Sequence, residues 1–194
     1  MAKQINIKLE FHDITNTIMW DEKQNNEKSK IPCGLTVSEW LSRGFTYSNM
    51  KKYADKASFI YSKYYQKVMP LIEQELHDAQ NYYKNEIKRL SKKNHEISFG
   101  IELNASDYSN SYIVESMVSP FPPVLTFVRI NQLCDQAHIE LKKLYQFGEI
   151  SKKEYHTGRR ELFRPLNRLR TNVTTHIVKA RKVVEASELE GDKI

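Results

Sequence analysis

The side chains best able to do chemistry in this sequence are basic residues concentrated in one segment, from Lys142 to Lys182. That segment carries twelve lysines and arginines against three glutamates, an excess of nine positive charges, whereas the whole 194-residue chain has a net charge of +6. The rest of the chain is therefore net acidic. A cationic face can neutralise the phosphates of a nucleic acid and release their counterions. An ordinary solvated helix face explains the charge equally well.

The candidates for phosphate contacts lie around a predicted helix start within this segment. Ser151 is typical of a helix N-cap, which places the next residues in the first helical turn. The unpaired N–H groups and the positive dipole end of such a turn favour a bound anion. The sequence therefore predicts backbone-contacting residues at Ser151, Lys152, Lys153, Arg159 and Arg160.

A second set of candidates lies at the start of the chain, where apolar and polar residues alternate from Lys3 to Phe11. This alternation predicts a half-buried strand with one polar face. A β-ribbon fits the major groove of DNA, and donors and acceptors on its outer face can meet base edges. The predicted readers on this strand are Lys3, Gln4, Asn6 and Lys8. A solvated edge strand is the simpler alternative.

The apolar run Val124–Val128 predicts another strand, preceded by a proline-rich breaker. A helix over 129–147 follows, then Gly148 in the position of a left-handed C-terminal cap, and then the helix that Ser151 begins. Thr126 and Arg129 are the candidate readers in this region. Which of the two strands enters a groove stays open.

Other patterns divide the rest of the chain. Residues 21–30 contain no apolar side chain and predict a loop, and Thr36-x-x-Glu39 predicts a short helix that Gly44 ends. Residues 48–92 predict a long helical region that Pro70 kinks or splits, and residues 97–103 predict a further strand. Arg164-Pro165 predicts a helix boundary because the residue before proline avoids the helical region. A polar tail follows over 187–194.

No pattern typical of an active site or a metal site is present. The six histidines are scattered, no phosphate-binding or nucleophile motif occurs, and Cys33 and Cys134 lack metal-ligand or disulfide-framework spacing. We therefore predict that the protein is not an enzyme and needs no cofactor or metal, and we predict no small-molecule substrate.

Length and composition favour one soluble domain over residues 1–194. The longest apolar stretches are far too short to span a bilayer, and the N-terminus has no signal-peptide core. Two free cysteines fit a reducing compartment. The expected fold class is α+β and predominantly helical, and the expected location is the cytoplasm.

The order of elements also resembles known DNA-binding architectures. A strand followed by two helices resembles the ribbon-helix-helix fold. Over most of the chain, the sequence resembles the AcaB-like family of transfer regulators, which conjugative plasmids and integrative conjugative elements encode. The segments that carry the resemblance are QINIKLEFHD, ISFGIELNASDYSNSYI, LTFVRINQLCDQAHIELKKL and GEISKKEYHTGRRELFR.

This resemblance implies a ribbon-helix-helix-like DNA-binding core, and the apolar spacing of the long helical region over 48–92 predicts an additional helical hairpin or a dimer contact. The resemblance also implies a homodimer that binds double-stranded DNA and activates the transcription of transfer genes. The alternative is a structural or accessory protein of the conjugation machinery that acts through protein–protein contacts. The residues alone leave the operator, the sign of regulation and the oligomeric state open.

Overall fold

A computed structural model describes residues 4–21, 31–98 and 110–191 of the chain. In this part of the chain, two strands and five helices follow one another. They are β1 (Ile5–Phe11), α1 (Ile14–Trp20), α2 (Gly34–Ser48), α3 (Lys56–Ile97), β2 (Tyr112–Val118), α4 (Pro122–Gln146) and α5 (Lys152–Gly191).

The strand predicted at the start of the chain is confirmed as β1. It pairs with β2 in an antiparallel two-stranded sheet, with Ile5 opposite Val118 and Phe11 opposite Tyr112. Leu9 and Phe11 are buried, as the alternation predicts. Of the strand predicted over 97–103, Ile97 instead ends α3, and residues 99–103 lie outside the described residues.

The long helical region is confirmed as α3, but Pro70 does not split it. Its 42 residues would measure about 63 Å along the axis. It begins later than predicted because Ser48 still belongs to α2, and Asp55 caps it by accepting a hydrogen bond from the Ser58 N–H at 2.6 Å. The helix packs against α2, α4 and α5, so the core forms around it.

The strand predicted over Val124–Val128 is wrong, since these residues form the first turns of α4. Prolines occupy the first two helical positions and favour a helix start. N–H groups at these positions have no intrahelical acceptor, so proline there loses no hydrogen bond. Val124, Phe127 and Val128 are all buried, so this turn of helix is apolar on most sides. A short apolar run cannot distinguish such a helix from a buried strand.

The helix boundary predicted at Arg164-Pro165 is also wrong, because Pro165 lies inside α5. Proline removes one helical hydrogen bond and loosens the preceding turn. In that turn, the Leu162 carbonyl accepts a hydrogen bond from the buried Tyr83 hydroxyl at 2.6 Å. Burial of Leu166 and Leu169 on either side of the proline holds the helix against the core.

Glycines mark one confirmed cap and one close contact. Gly148 has a φ of 76° between α4 and α5, so the left-handed cap is confirmed. Gly44 does not end α2, which continues to Ser48. A Cβ at Gly44 would lie 3.0 Å from atoms of Tyr65 and Met69, so glycine here lets α2 approach α3 closely.

Among the described residues, no helix is both long enough and apolar enough to cross a membrane.

Candidate nucleic-acid interface

The outward face of α5 carries a row of three exposed arginines, Arg160, Arg164 and Arg168. They recur every four residues, so their positions lie about 6 Å apart along the helix axis. Thr157, Asn167 and Thr171 flank them, and together these side chains line a shallow groove. We call Arg160, Arg164 and Arg168 with these three neighbours the arginine row.

One acidic residue, Glu161, shares the groove with the arginine row. Its carboxylate lies 2.9 Å from Arg164, and these side chains are 50% and 75% exposed respectively. Exposed ion pairs of this kind contribute only about 0–1 kcal/mol, so a phosphate can compete with Glu161 for Arg164. The groove therefore keeps a net positive charge that faces solvent.

Two other basic residues of the same segment point into the protein. Arg159, a predicted phosphate contact, is three-quarters buried and donates to the Asp13 carboxylate at 2.6 Å and to the Thr15 hydroxyl at 3.1 Å. Arg170 is buried and donates to the carbonyl of Pro32 at 2.7 Å. Burial lowers the pKa of Arg170 to about 10. Both arginines therefore act as internal supports in this conformation.

Helical phase separates these inner arginines from the arginine row. Arg159 and Arg170 lie on the side of α5 that buries Leu162, Leu166 and Val173. The sequence prediction broke the helix at Pro165, and residues on the two sides of a break have no fixed angular relation about one axis. The prediction therefore could not separate inward-facing from outward-facing arginines, whereas a continuous helix from Lys152 would have done so.

The predicted N-cap at Ser151 is confirmed. The Ser151 hydroxyl accepts the N–H of Glu154 at 3.3 Å, and the Glu154 carboxylate accepts the N–H of Ser151 at 2.8 Å. These hydrogen bonds hold the pKa of Glu154 below its usual value. Lys152 and Lys153 are exposed beside the cap. A carboxylate already satisfies part of this helix start, so a phosphate here would have to compete with Glu154.

The outer face of the sheet carries the other predicted readers. Its three central cross-strand pairs are Asn6 with Met117, Lys8 with Glu115 and Glu10 with Ile113, and all six residues are exposed. We call these six residues the ribbon face. Gln4 is exposed at its end, and Lys3 lies outside the described residues.

The ribbon face differs from the polar surface predicted from β1 alone. Glu10 and Glu115 outnumber Lys8, so the face has a net charge of −1. Ile113 and Met117 are 57% and 54% exposed, which places apolar side chains beside the polar readers. The predicted readers do face outward, but their cross-strand neighbours come from β2, where no strand was predicted.

Thr126 and Arg129, the remaining predicted readers, lie on α4 rather than on a ribbon. Thr126 is half-buried and Arg129 is exposed. Their predicted role as base readers depended on a β-ribbon, and a helix does not present their side chains in that geometry. The correction follows from the helical conformation of Val124–Val128.

A buried carboxylate that the sequence analysis missed joins the sheet to the helices. Asp135 of α4 is 3% exposed and accepts the backbone N–H groups of His12 and Asp13 at 2.9–3.1 Å. It also accepts the side-chain amide of Asn16 at 2.8 Å. Because Asp13 in turn pairs with Arg159, the end of β1 is tied to both α4 and α5. No sequence motif marks these distant partners.

Titratable groups inside the core have structural partners. His138 is buried, its Nδ1 lies 2.7 Å from the Cys134 carbonyl, and its ring packs on Phe163. Burial lowers the pKa of His138 and raises the pKa of the Cys134 thiol, so both groups favour their neutral forms. Within residues 4–21, 31–98 and 110–191, no group of three or more histidine, cysteine or carboxylate side chains could hold a metal ion.

The described residues thus define a mostly helical α+β protein with a two-stranded antiparallel sheet. The fold is similar to the crystal structure of AcaB from uropathogenic E. coli, with a TM-score of 0.60 and 13% sequence identity. The match covers 99% of this chain and 88% of that one. No family model matches the chain, and no curated protein matches its sequence.

At this identity the comparison shows the fold alone. The resemblance to the AcaB-like family is therefore confirmed as a loose similarity of fold. The ribbon-helix-helix core is not confirmed, since its strand was placed at Val124–Val128.

Proposed function

We propose that this protein is a sequence-specific DNA-binding transcriptional regulator that activates conjugative transfer genes. The observation that carries the proposal is the arginine row, an exposed and regularly spaced cationic surface on a helix whose other side is buried. The similarity to AcaB in fold and the sequence resemblance to a family of transfer regulators favour the regulatory role.

The arginine row suits a phosphate backbone for geometric reasons. A guanidinium is always charged and presents several donors in a planar fork that matches phosphate oxygens. The flanking Thr157 hydroxyl and Asn167 amide add donors of the kind that position a protein on a duplex. Three phosphate contacts would contribute about 2.7 to the slope of log affinity against log salt.

Sequence preference in this proposal comes from the ribbon face. Asn6, Lys8 and the adjacent Gln4 are exposed groups that can hydrogen-bond to base edges. Buried contacts through Asp13 and Asp135 hold the sheet to α4 and α5, so the two surfaces keep a fixed relation. A homodimer would present each surface twice and read a two-fold symmetric site.

Binding of labelled duplexes tests the proposal. Fragments from upstream of the protein's own operon and of neighbouring genes are titrated by fluorescence anisotropy from 50 to 200 mM salt, with unrelated DNA as the control. We expect tighter binding to one fragment and an affinity that falls steeply with salt. Absent or salt-insensitive binding contradicts the proposal.

A second candidate function is favoured by the apolar part of the ribbon face. Ile113 and Met117 are large apolar residues that are more than half exposed, and such residues often contact other proteins. A structural or accessory role in the conjugation machinery would use this surface. This role predicts that the purified protein associates stably with a transfer protein and shows no preference among DNA fragments.

A further inference from the structure

A groove runs between α2 and the second strand of the sheet. One face of α2 lines it from Leu35 to Tyr47, a length of about 18 Å along the helix. The opposite wall is formed by residues 115–118 of β2 and by Ser119, which follows the strand. Its volume is about 880 Å³, which lies in the range of ligand pockets, roughly 300–1,000 Å³.

The groove meets β2 at its edge. Five consecutive residues, 115–119, line it, whereas a groove over one face of a strand would be lined by alternate residues only. The sheet has two strands, so each strand pairs on one side. Every second residue of β2 therefore directs its N–H and C=O groups away from β1, and within the described residues no other strand pairs with them.

A buried hydroxyl in the groove supplies an independent sign of a ligand. Ser38 is 3% exposed and lines the groove, and its Oγ has no hydrogen-bond partner among the described residues. Buried hydroxyls in proteins are usually hydrogen-bonded, since an unpaired one destabilises the fold. Nearby, Ser42 donates to the hydroxyl of Ser119 at 2.8 Å, so other serines of the groove are satisfied within the protein.

The charge of the groove selects the kind of ligand. Among the described residues, Asp21, Glu39 and Glu115 line it together with one cation, Arg43. Arg43 lies 3.9 Å from Glu39, and both side chains are about two-thirds exposed. A negatively charged groove next to an open strand edge is complementary to an extended segment with basic side chains.

We propose that the groove between α2 and β2 binds an extended basic peptide segment of a partner protein, which adds a third strand to the sheet along the open edge of β2. Main-chain hydrogen bonds to β2 would supply the affinity, as in other cases of strand addition. Basic side chains would lie near Glu39 and Glu115, and the Ser38 hydroxyl would gain a partner. A strand of five or six residues spans the 18 Å of the groove.

A synthetic peptide of four Lys-Val repeats is the probe. It is titrated against the full chain by fluorescence anisotropy, in parallel with a Glu-Val peptide and with a Lys-Val peptide that is N-methylated at alternate residues. We expect the Lys-Val peptide to bind and both controls to bind at least about tenfold more weakly, since one lacks the charge and the other lacks strand donors. Equal binding of the N-methylated peptide would mean simple charge attraction and would overturn the proposal.

Variants of the protein locate the site. Glu39→Lys/Glu115→Lys should weaken the Lys-Val peptide about tenfold. Glu73→Lys/Glu96→Lys, which changes the same charge at exposed positions of α3, should not. Ser38→Ala should weaken peptide binding a few-fold while raising the melting temperature of the free protein, because it removes the unpaired hydroxyl. Equal loss in both charge variants would place the peptide elsewhere and overturn the proposal.

Hydrogen exchange provides a readout that needs no substitution. The Lys-Val peptide should slow exchange of the β2 amides that point away from β1, and unchanged exchange there would overturn the proposal. This inference does not rest on DNA binding, although Gln4, Glu115 and Met117 line the groove and lie on the ribbon face or at its end. A variant with all three arginines of the arginine row replaced by alanine should bind the peptide normally, so failure of one proposal leaves the other intact.

Discussion

The arginine row and the ribbon face are both exposed, and each contains predicted DNA contacts, Arg160 in the first and Asn6 and Lys8 in the second, but they differ in how their charge is organised. The arginine row has one acidic neighbour, Glu161, and a regular four-residue spacing on a single helix. On the ribbon face, one lysine stands among two glutamates and two large apolar residues. The helix suits a uniform polyanion, whereas the ribbon face suits a patterned surface such as base edges or another protein.

The difference shows when a pattern in the sequence is sufficient to predict the composition of a surface. Helical neighbours lie three or four residues apart, so all members of the arginine row come from one segment of sequence once α5 continues through Pro165. Cross-strand neighbours come from a distant segment, and Glu115 lies opposite Lys8 only because β2 pairs in this register. The character of the ribbon face therefore depends on tertiary pairing.

The largest expected effect concerns the arginine row itself. Arg160→Ala/Arg164→Ala/Arg168→Ala should reduce DNA affinity on the order of 100-fold, since each lost phosphate contact removes about 1 kcal/mol. The salt slope should fall by about 2.7. The control Lys67→Ala/Lys84→Ala/Lys88→Ala removes the same charge from exposed positions on α3. Equal losses of DNA affinity in both triple variants would mean that the arginine row acts only through its net charge.

An inner arginine should behave differently from its outer neighbour. Arg159→Ala leaves the mostly buried Asp13 carboxylate without its cation, so it should lower the free energy of unfolding by about 2 kcal/mol. Arg160→Ala, one residue further along, should change stability by less than about 0.5 kcal/mol. Chemical denaturation of the two variants gives the comparison, and similar stabilities would show that the side of the helix does not matter.

A pair of single substitutions distinguishes base recognition from phosphate contacts. Asn6→Ala on the ribbon face should reduce the preference for the best DNA fragment by about tenfold. Lys153→Ala should weaken binding to all fragments a few-fold and reduce the salt slope by about 1. Affinities for the preferred and the unrelated fragment are measured for each variant. If Asn6→Ala leaves the ratio unchanged, the ribbon face does not read bases.

The smallest expected effect comes from the carboxylates of the ribbon face. Glu10→Gln/Glu115→Gln removes two negative charges and should tighten DNA binding several-fold at low salt, because like charges repel within a Debye length of about 10 Å at 0.1 M. Anisotropy titrations at 50 and 200 mM salt measure it, with Glu73→Gln/Glu96→Gln as the charge-matched control. No difference from this control would place the ribbon face away from the DNA.

Several features of this protein follow from its sequence alone. Strict alternation specifies β1, the glycine at 148 and the serine at 151 specify the ends of two helices, and the basic segment specifies where positive charge accumulates. Each of these signals is local, because it depends on backbone preferences or on neighbours a few residues away. Local physics is the same in the isolated segment and in the folded chain.

Tertiary structure decided the rest. Val124–Val128 is buried as the first turns of α4, which its apolar run alone does not specify, and the turn before Pro165 packs on the core with its Leu162 carbonyl bonded to Tyr83. The continuous α5 then sets the helical phase that turns Arg159 towards Asp13 and leaves Arg160 in solvent. The partners in these contacts lie 79 residues apart for Tyr83 and Leu162 and 146 residues apart for Asp13 and Arg159, and no local propensity records which partner a residue will meet.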